Sequence, residues 1–455
     1  MGVTPMSGER VTVEVTDLAF DGKAVGSIDG KVIFLKGGLP GETVVAEITR
    51  TKARYCQGIV REILIASPER QSPRCTHFGV CGGCTWQDLA YAEQLRFKKK
   101  QVVDCLERLG QFESPTVRDV VPCDTLFFYR NKMEFSFHVS DGEGFTLGLH
   151  ERNSFDDIFD LKACYLESEA SNAIVSFVRQ FVKDKGVPVY DIRNHTGYMR
   201  FLMIREGKRT GQIMVNIITN YGEIPHEEEL VEGLTHAFPS IATIIHNQNG
   251  KKANIAFGEI ERVLFGNGWI EEEILGCRFR IRANSFFQTN PTQAERLFTT
   301  AFDLLGDVTG AKVLDLYCGT GSIGLLLARR VSRVVGVELV VDAIEAAREN
   351  AERNGIGNIE FFAGDVKGYL ETTVAEEPFD IVVLDPPRAG LHPKAIKRLL
   401  FIKPPTVLYI SCNPATFARD ARLLVDGGYA ISEVVPVDMF PHTMHIEVAS
   451  CFRRS

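Results

Sequence analysis

The sequence predicts a multidomain α/β chain: an OB-like β-barrel at the amino terminus, a central α+β domain and a doubly wound, Rossmann-like carboxyl-terminal domain. Three observations carry this expectation. Short strands punctuated by glycine fill the first 66 residues, a cysteine cluster introduces mixed helix and strand patterns, and strands alternate strictly with helices after residue 311. With 455 residues, 45% hydrophobic and 24% charged, the chain can bury a sizeable core in about two to four domains. The divisions expected are 1–66, 67–275 and 276–455.

Residues 11–65 run through apolar strands and glycine turns such as FDGKAVGSIDGKVIFLKGGLPGETVVAEI, the spacing of a small barrel. Barrels of this kind bind single-stranded nucleic acid through loops and exposed aromatics, although a generic β module fits the composition equally. Residues 67–75, SPERQSPRC, then read as a proline-marked linker.

In the central region, residues 88–109 have helical periodicity, with Leu89, Leu95, Val102, Val103 and Leu106 able to share a face. The run Lys98-Lys99-Lys100 on that helix reads as a solvated face, with RNA contact as the alternative. Residues 127–150, 198–204, 212–217 and 243–247 alternate like antiparallel strands. Within them Phe127-Phe128-Tyr129-Arg130-Asn131-Lys132 mixes aromatics and cations, as a site that splays a base requires. Arg130 is the first choice there for an RNA contact, and core packing explains the same aromatics nearly as well.

The net charge of -8 argues against a histone-like coat of positive charge but says nothing of local patches. The amino terminus lacks a signal-peptide pattern, and no run reaches the roughly 18 apolar residues of a membrane helix, so a soluble cytoplasmic protein is expected. In that compartment eleven cysteines call for metal or catalytic roles before disulfides.

After residue 311 the strands KVLDLY, RVVGVEL, NIEFFAGD, FDIVVLDPP and TVLYIS alternate with helices, which implies a parallel sheet binding its ligand beyond the strands' carboxyl ends. Gly319-Thr320-Gly321-Ser322-Ile323-Gly324 opens a helix after the first strand, and Glu338 ends the second, placed to accept from ribose hydroxyls. Alone, this pair is the dinucleotide fingerprint as well, so a nicotinamide cofactor stays open. Asp365 and Asp385 at two further strand ends favour a bound nucleoside, and Pro386-Pro387 keeps the second end rigid.

TVLYIS ends at Ser411-Cys412-Asn413-Pro414, so Cys412 shares this ligand edge. Pyrimidine carbon 5 attacks a methyl sulfonium poorly; addition of a thiolate at carbon 6 drives electron density onto carbon 5. A base must then remove the carbon-5 proton. Glu447 is the candidate, His442 and His445 compete with it, and Cys412 could equally be a buried structural cysteine.

Cys75, Cys81 and Cys84 form Cys-x5-Cys-Gly-Gly-Cys, and Cys164 offers a distant fourth thiolate; the spacing suits zinc or an iron–sulfur cluster. Together with Asn284-Ser285-Phe286-Phe287-Gln288, Asp315-Leu316-Tyr317-Cys318-Gly319, Asp385-Pro386-Pro387-Arg388, Ser411-Cys412-Asn413-Pro414 and His445-Ile446-Glu447, this cluster makes nearly the whole chain resemble the RNA uracil-5 methyltransferases. Within them it is most similar to the iron–sulfur 23S rRNA (uracil-5-)-methyltransferase branch, whose amino-terminal barrel is a TRAM domain.

The resemblance implies Cys412 as nucleophile and Glu447 as base, with S-adenosylmethionine contacts from Gln288, Tyr317, Ser322, Glu338, Asp365 and Asp385. Serine stands at 322 where relatives often carry asparagine, which shortens its reach. The resemblance further implies a structural [4Fe–4S] cluster on Cys75, Cys81, Cys84 and Cys164, and RNA as partner, 23S rRNA ahead of transfer RNA. Phe286 or Phe287 would stack on the flipped uracil or pack in the core. Two rivals from other classes are weaker. A nicotinamide-dependent oxidoreductase leaves Cys412, Glu447 and Asp385 without coordinated work, and a non-catalytic RNA-binding iron–sulfur protein needs only the barrel and the cluster.

Overall fold

The structure is a computed structural model that describes residues 5–140, 144–152, 154, 156–252, 255–372 and 378–454. Strands β1 (Arg10–Leu18), β2 (Ala24–Ile28), β3 (Lys31–Lys36), β4 (Thr43–Thr51) and β5 (Tyr55–Ile65) close a barrel in the order β1-β2-β3-β5-β4. Alternation dictates the closure: Val13, Val15, Ile33, Leu35, Val44, Ala46 and Ile48 point inward and are buried. Gly26 is required where strands approach closely, since a Cβ there would lie 2.5 Å from the Glu14 carbonyl oxygen.

Trp86, Leu89 and Phe97 complete the barrel's core from outside it. Phe97 lies on helix α1 (Tyr91–Arg108), whose Val102, Cys105 and Leu106 pack into the carboxyl-terminal domain, so one helix joins both cores. The segment expected as a linker is fixed in place. Arg70 donates to the fully buried Glu42 through Nε at 2.6 Å and Nη2 at 3.0 Å, and its Nη1 pairs with Asp88 at 2.7 Å.

The lysine run departs from the solvated face expected of it. Lys98 is wholly buried, with Nζ 2.6 Å from Asp438 and 3.0 Å from the Phe440 carbonyl. Helical geometry turns position 98 inward with Gln94, Gln101 and Val102, while Lys99 and Lys100 pair at the surface with Asp119 and with Asp17 and Asp104.

The central domain is a sheet of β6 (Lys132–Val139), β7 (Phe145–His150), β8 (Ile158–Asp160), β9 (Met199–Glu206), β10 (Ile213–Thr219), β11 (Ile241–Gln248) and β12 (Ile260–Gly266) in the order β12-β11-β10-β9-β6-β7-β8. Helices α2 (Glu169–Asp184) and α3 (Glu227–Ala237) cover one face through Ile174, Val178, Leu230 and Leu234. All neighbouring strands are antiparallel except β10 and β11, which α3 connects. A hairpin of β13 (Trp269–Ile274) and β14 (Cys277–Arg282) crosses the 275/276 division and packs into the carboxyl-terminal core.

That core surrounds β15 (Lys312–Leu316), β16 (Arg333–Glu338), β17 (Ile359–Ala363), β18 (Ile381–Leu384), β19 (Thr406–Ser411), β20 (Tyr429–Val437) and β21 (Glu447–Arg454). Helices α4 (Pro291–Leu305), α5 (Ser322–Ala328), α6 (Val341–Arg353), α7 (Val366–Thr372), α8 (Pro393–Ile402) and α9 (Pro414–Asp426) accompany them. The sheet order is β17-β16-β15-β18-β19-β21-β20, and the five strands up to β19 are parallel as the alternation predicts. Strand β21 runs antiparallel to both neighbours, and this hairpin lies beyond the elements read from the sequence. Its direction matters, because Ser411 pairs with Val448 and so brings Glu447 to the carboxyl end of β19. Among the described residues no helix is long and apolar enough to cross a membrane.

Candidate active site

Five strand ends meet along one edge. From β17 to β19 they carry Asp365, Glu338, Tyr317, Asp385 and Cys412, and antiparallel β21 adds Glu447. The turn after β15 needs left-handed backbone, with φ of 64° at Tyr317, 55° at Gly319 and 82° at Gly321. A Cβ at Gly321 would lie 2.9 Å from the Phe361 ring, so glycine is required there on both counts. Glu338 fastens this turn by accepting from the Gly319 amide at 3.2 Å, and it also accepts from the Val340 amide at 3.0 Å. Ser322 begins α5, with its amide edge facing the same end of the sheet. Asp365 is exposed and accepts from the Gly368 amide at 3.1 Å.

Gln288 lies in the loop before α4. Asn131 clamps that loop, donating through Nδ2 to the Gln288 carbonyl at 3.0 Å and through its own amide to Thr289 at 2.9 Å. Two candidates for base stacking separate here: Phe287 is buried against Phe279, whereas Phe286 is 72% exposed. Arg130, partly buried, donates from Nε to the Lys132 carbonyl at 2.9 Å.

The electrostatics of the edge are anionic. Burial pushes the Asp385 carboxyl up to about 7. Asp315, wholly buried inside β15, is pushed up to about 8, by burial first and the Asp385 charge second. Apart from the adjacent Gly324 amide, the described residues offer its oxygens no donor. Burial, with the Asp385 charge added, also holds Glu447 well above the usual carboxylate range, and Arg388 opposes this.

Cys412 is partly exposed. Burial raises its thiol to about 11, the Glu447 charge adds to that, and the Arg388 guanidinium within hydrogen-bond reach opposes it. His442 is turned away into the core: Nδ1 lies 3.3 Å from Gln94 Nε2 and the ring packs on Phe127 at 4.5 Å. Burial lowers both His442 and His445 to about 4, and the charges of Arg388 and Arg130 both reach His445. Two residues of this edge, Asp315 and Arg388, lie in motifs read from the sequence but were assigned no part there. The signal for Asp315 was a carboxylate inside the otherwise apolar strand KVLDL.

The four cysteines come from two separate segments and gather beside the central sheet. Cys81 bridges to Glu151 next to β7, and Cys164 is tied to α2 by Asn172, which accepts from its amide at 2.7 Å and donates to its carbonyl at 2.9 Å. Burial raises Cys84 to about 11 and Cys164 further; the charges of Cys75 and Cys81 add to the first, those of Glu167, Cys84 and Cys81 to the second. Two sulfurs already accept hydrogen bonds, Cys81 from the Gly83 amide at 3.3 Å and Cys84 from Gln87 Nε2 at 3.4 Å. Among the described residues no three His, Cys, Asp or Glu side chains stand close enough to hold a single metal ion. A four-iron cluster takes one thiolate at each iron and so seats its cysteines farther apart than one ion would.

Comparison with known proteins adds to this geometry. Residues 90–455 match the family model described as tRNA (Uracil-5-)-methyltransferase, and residues 5–60 match the TRAM domain. An uncharacterized RNA methyltransferase of Chlorobaculum tepidum is 40% identical over 98% of this chain and 97% of its own. One from Caldanaerobacter subterraneus is 39% identical over 98% and 99%. Among solved structures, the Pyrococcus abyssi tRNA (uracil-54, C5)-methyltransferase in complex with S-adenosyl-L-homocysteine is 32% identical, with a TM-score of 0.78 over 97% of this chain and 100% of that one.

Proposed function

Since the chain belongs to the tRNA (uracil-5-)-methyltransferase family, we propose that it methylates carbon 5 of a uridine in 23S rRNA, with Cys412 as nucleophile and Glu447 as base. As a member it is an S-adenosylmethionine-dependent RNA methyltransferase carrying a TRAM domain. The observation that carries the residue assignment is the antiparallel turn of β21, which sets Glu447 beside Cys412 on the strand-end edge.

Cys412 forms a bond to carbon 6 as its thiolate, and the electrons of the 5,6 double bond move toward the 4-oxygen, leaving carbon 5 nucleophilic. S-adenosylmethionine supplies the methyl cation that carbon 5 takes up. Glu447 then removes the proton from carbon 5, the double bond re-forms and the Cys412 sulfur leaves. A carboxyl held above its ordinary range is a better-matched base near neutral pH than a surface glutamate. His442 is poorly placed for that work because it is sealed against Gln94 and Phe127. Gln288, Tyr317, Ser322, Glu338, Asp365 and Asp385 would hold the cofactor. The buried carboxyl of Asp315 beside Asp385 suits a ligand bearing sulfonium and ammonium charges.

Cys75, Cys81, Cys84 and Cys164 would hold a [4Fe–4S] cluster. Four neighbouring thiolates, Cys164 buried and the other three partly exposed, would repel one another; cationic iron would relieve that repulsion, and the N–H donors to Cys81 and Cys84 suit thiolate sulfur. The cluster's part is structural, since the transfer moves no unpaired electron.

Covalent trapping tests the reading. Anaerobically purified protein with S-adenosylmethionine is mixed with 5-fluorouridine transcripts of 23S rRNA fragments and of transfer RNA. Fluorine at carbon 5 cannot leave as a proton, so a denaturant-resistant adduct is expected with the 23S fragments and none with Cys412→Ala. An adduct confined to transfer RNA would move the substrate assignment, and no adduct with either RNA would remove the Cys412 mechanism.

A further inference from the structure

Arg74 directly precedes the first cysteine of the cluster, and its guanidinium carbon lies over three rings at once. The centroid distances are 5.1 Å to Phe127, 5.0 Å to Phe128 and 4.6 Å to Tyr165. The residue is exposed, and among the described residues it makes no ion pair or hydrogen bond. Other surface arginines of this chain, such as Arg61, Arg96 and Arg422, are spent on carboxylates.

From this we propose that Arg74 and its aromatic cage form an anchoring site for a phosphate of the substrate RNA. Three rings hold the planar guanidinium by cation–π attraction and leave its N–H edge to solvent, which restricts the rotamers an arginine ordinarily loses on binding. A rigid, unpaired fork of N–H donors matches a phosphate bidentately. The cage backbone is fixed as well: Phe128 adopts a φ of 59° while its amide donates to the Tyr165 carbonyl at 2.8 Å.

The cage also touches the segment that runs into β21. Phe127 lies under Arg74 and also packs, tilted, against His442 at 4.5 Å. Tyr129 donates to the Pro441 carbonyl at 3.1 Å, so the cage segment abuts the loop that leads into Glu447. In a chain with a net charge of -8, a fixed and unpaired cation is a local feature that the overall balance conceals.

This inference rests on the reading of the chain as an RNA methyltransferase. Its test compares wild type, Arg74→Gln and Arg74→Lys for binding of the trapped 23S fragment over a range of salt, with S-adenosylhomocysteine binding as the control for folding. Arg74→Gln is expected to weaken RNA binding about tenfold and to lower the slope of log Kd against log salt by about 0.7, the loss of one phosphate contact. Arg74→Lys keeps the charge, so it is expected to keep the slope while losing part of the affinity. Wild-type affinity and slope in Arg74→Gln would overturn the proposal. Equal weakening in both variants with an unchanged slope would also overturn it, because the cage would then act only as packing. Failure of the wild type to bind or trap RNA would instead strike the functional reading.

Discussion

At the residue scale, the tension lies at Cys412. The proposed role of Cys412 calls for a thiolate, yet burial and the Glu447 charge raise the thiol to about 11 and only Arg388 acts in the other direction. These signs give a measurable expectation for the ligand-free protein. Alkylation of Cys412 by neutral iodoacetamide, followed by peptide mass, should rise with pH toward a midpoint near 11. Removing the cation in Arg388→Gln should move that midpoint up and slow the reaction at about pH 9. Removing the negative charge in Glu447→Gln should move it down and speed the reaction, each by roughly three- to tenfold, since one pKa unit is tenfold in thiolate. Equal rates in all three proteins would mean that these charges do not reach the sulfur. The types and order of these residues were legible in the sequence, because each strand-end motif can be read singly. The competition between Arg388 and Glu447 was not, because it depends on distances between residues far apart in the chain.

Element by element, legibility follows periodicity. The parallel strands and the barrel strands announce themselves as apolar runs bounded by glycine or by acids, and the structure has them where the pattern does. The β20–β21 hairpin lacked such a signal, since the segment between its strands holds no turn motif and instead winds past α1. Lys98 shows the same limit: charge runs are usually solvated, and only the partner loop, 340 residues on, reveals the exception. That pair ties α1 to the segment bearing Asp438, which also accepts from Tyr91 Oη at 2.9 Å and from the Phe440 amide at 3.1 Å. Burial holds the Lys98 ammonium below its ordinary range, and the Asp438 charge offsets only part of that. Lys98→Met leaves a buried carboxylate without its cation and is expected to cost about 3–5 kcal/mol in urea unfolding. The double variant Lys98→Met with Asp438→Asn should recover most of that loss. A cost under about 1 kcal/mol for the single change would show that water reaches Asp438.

For the whole molecule, the arrangement is one of bridges. Helix α1 contributes to the barrel core and to the carboxyl-terminal core, Arg70 holds the connecting segment against Glu42 and Asp88, and Asn131, just before β6, holds the loop before α4. The cysteine segment is the remaining join. Cys75, Cys81 and Cys84 lie on a stretch with little regular structure, whereas Cys164 belongs to the central domain beside α2. A cluster across all four would cross-link the stretch to the sheet and close a loop of some eighty residues, and closing so long a loop removes much unfolded-state freedom. The segment would then depend on the cluster more than any other part of the chain, and with it Arg74, one residue before Cys75. Cys164→Ala, purified anaerobically, is therefore expected to lose most of its iron and its visible absorption, to become less soluble, and to be cut by protease within residues 71–88 sooner than the wild type. Iron content and absorption equal to wild type would remove Cys164 from the ligand set. Lost iron with unaltered proteolysis would show that contacts such as that of the Arg152 guanidinium with the Cys84 carbonyl already suffice to hold the segment.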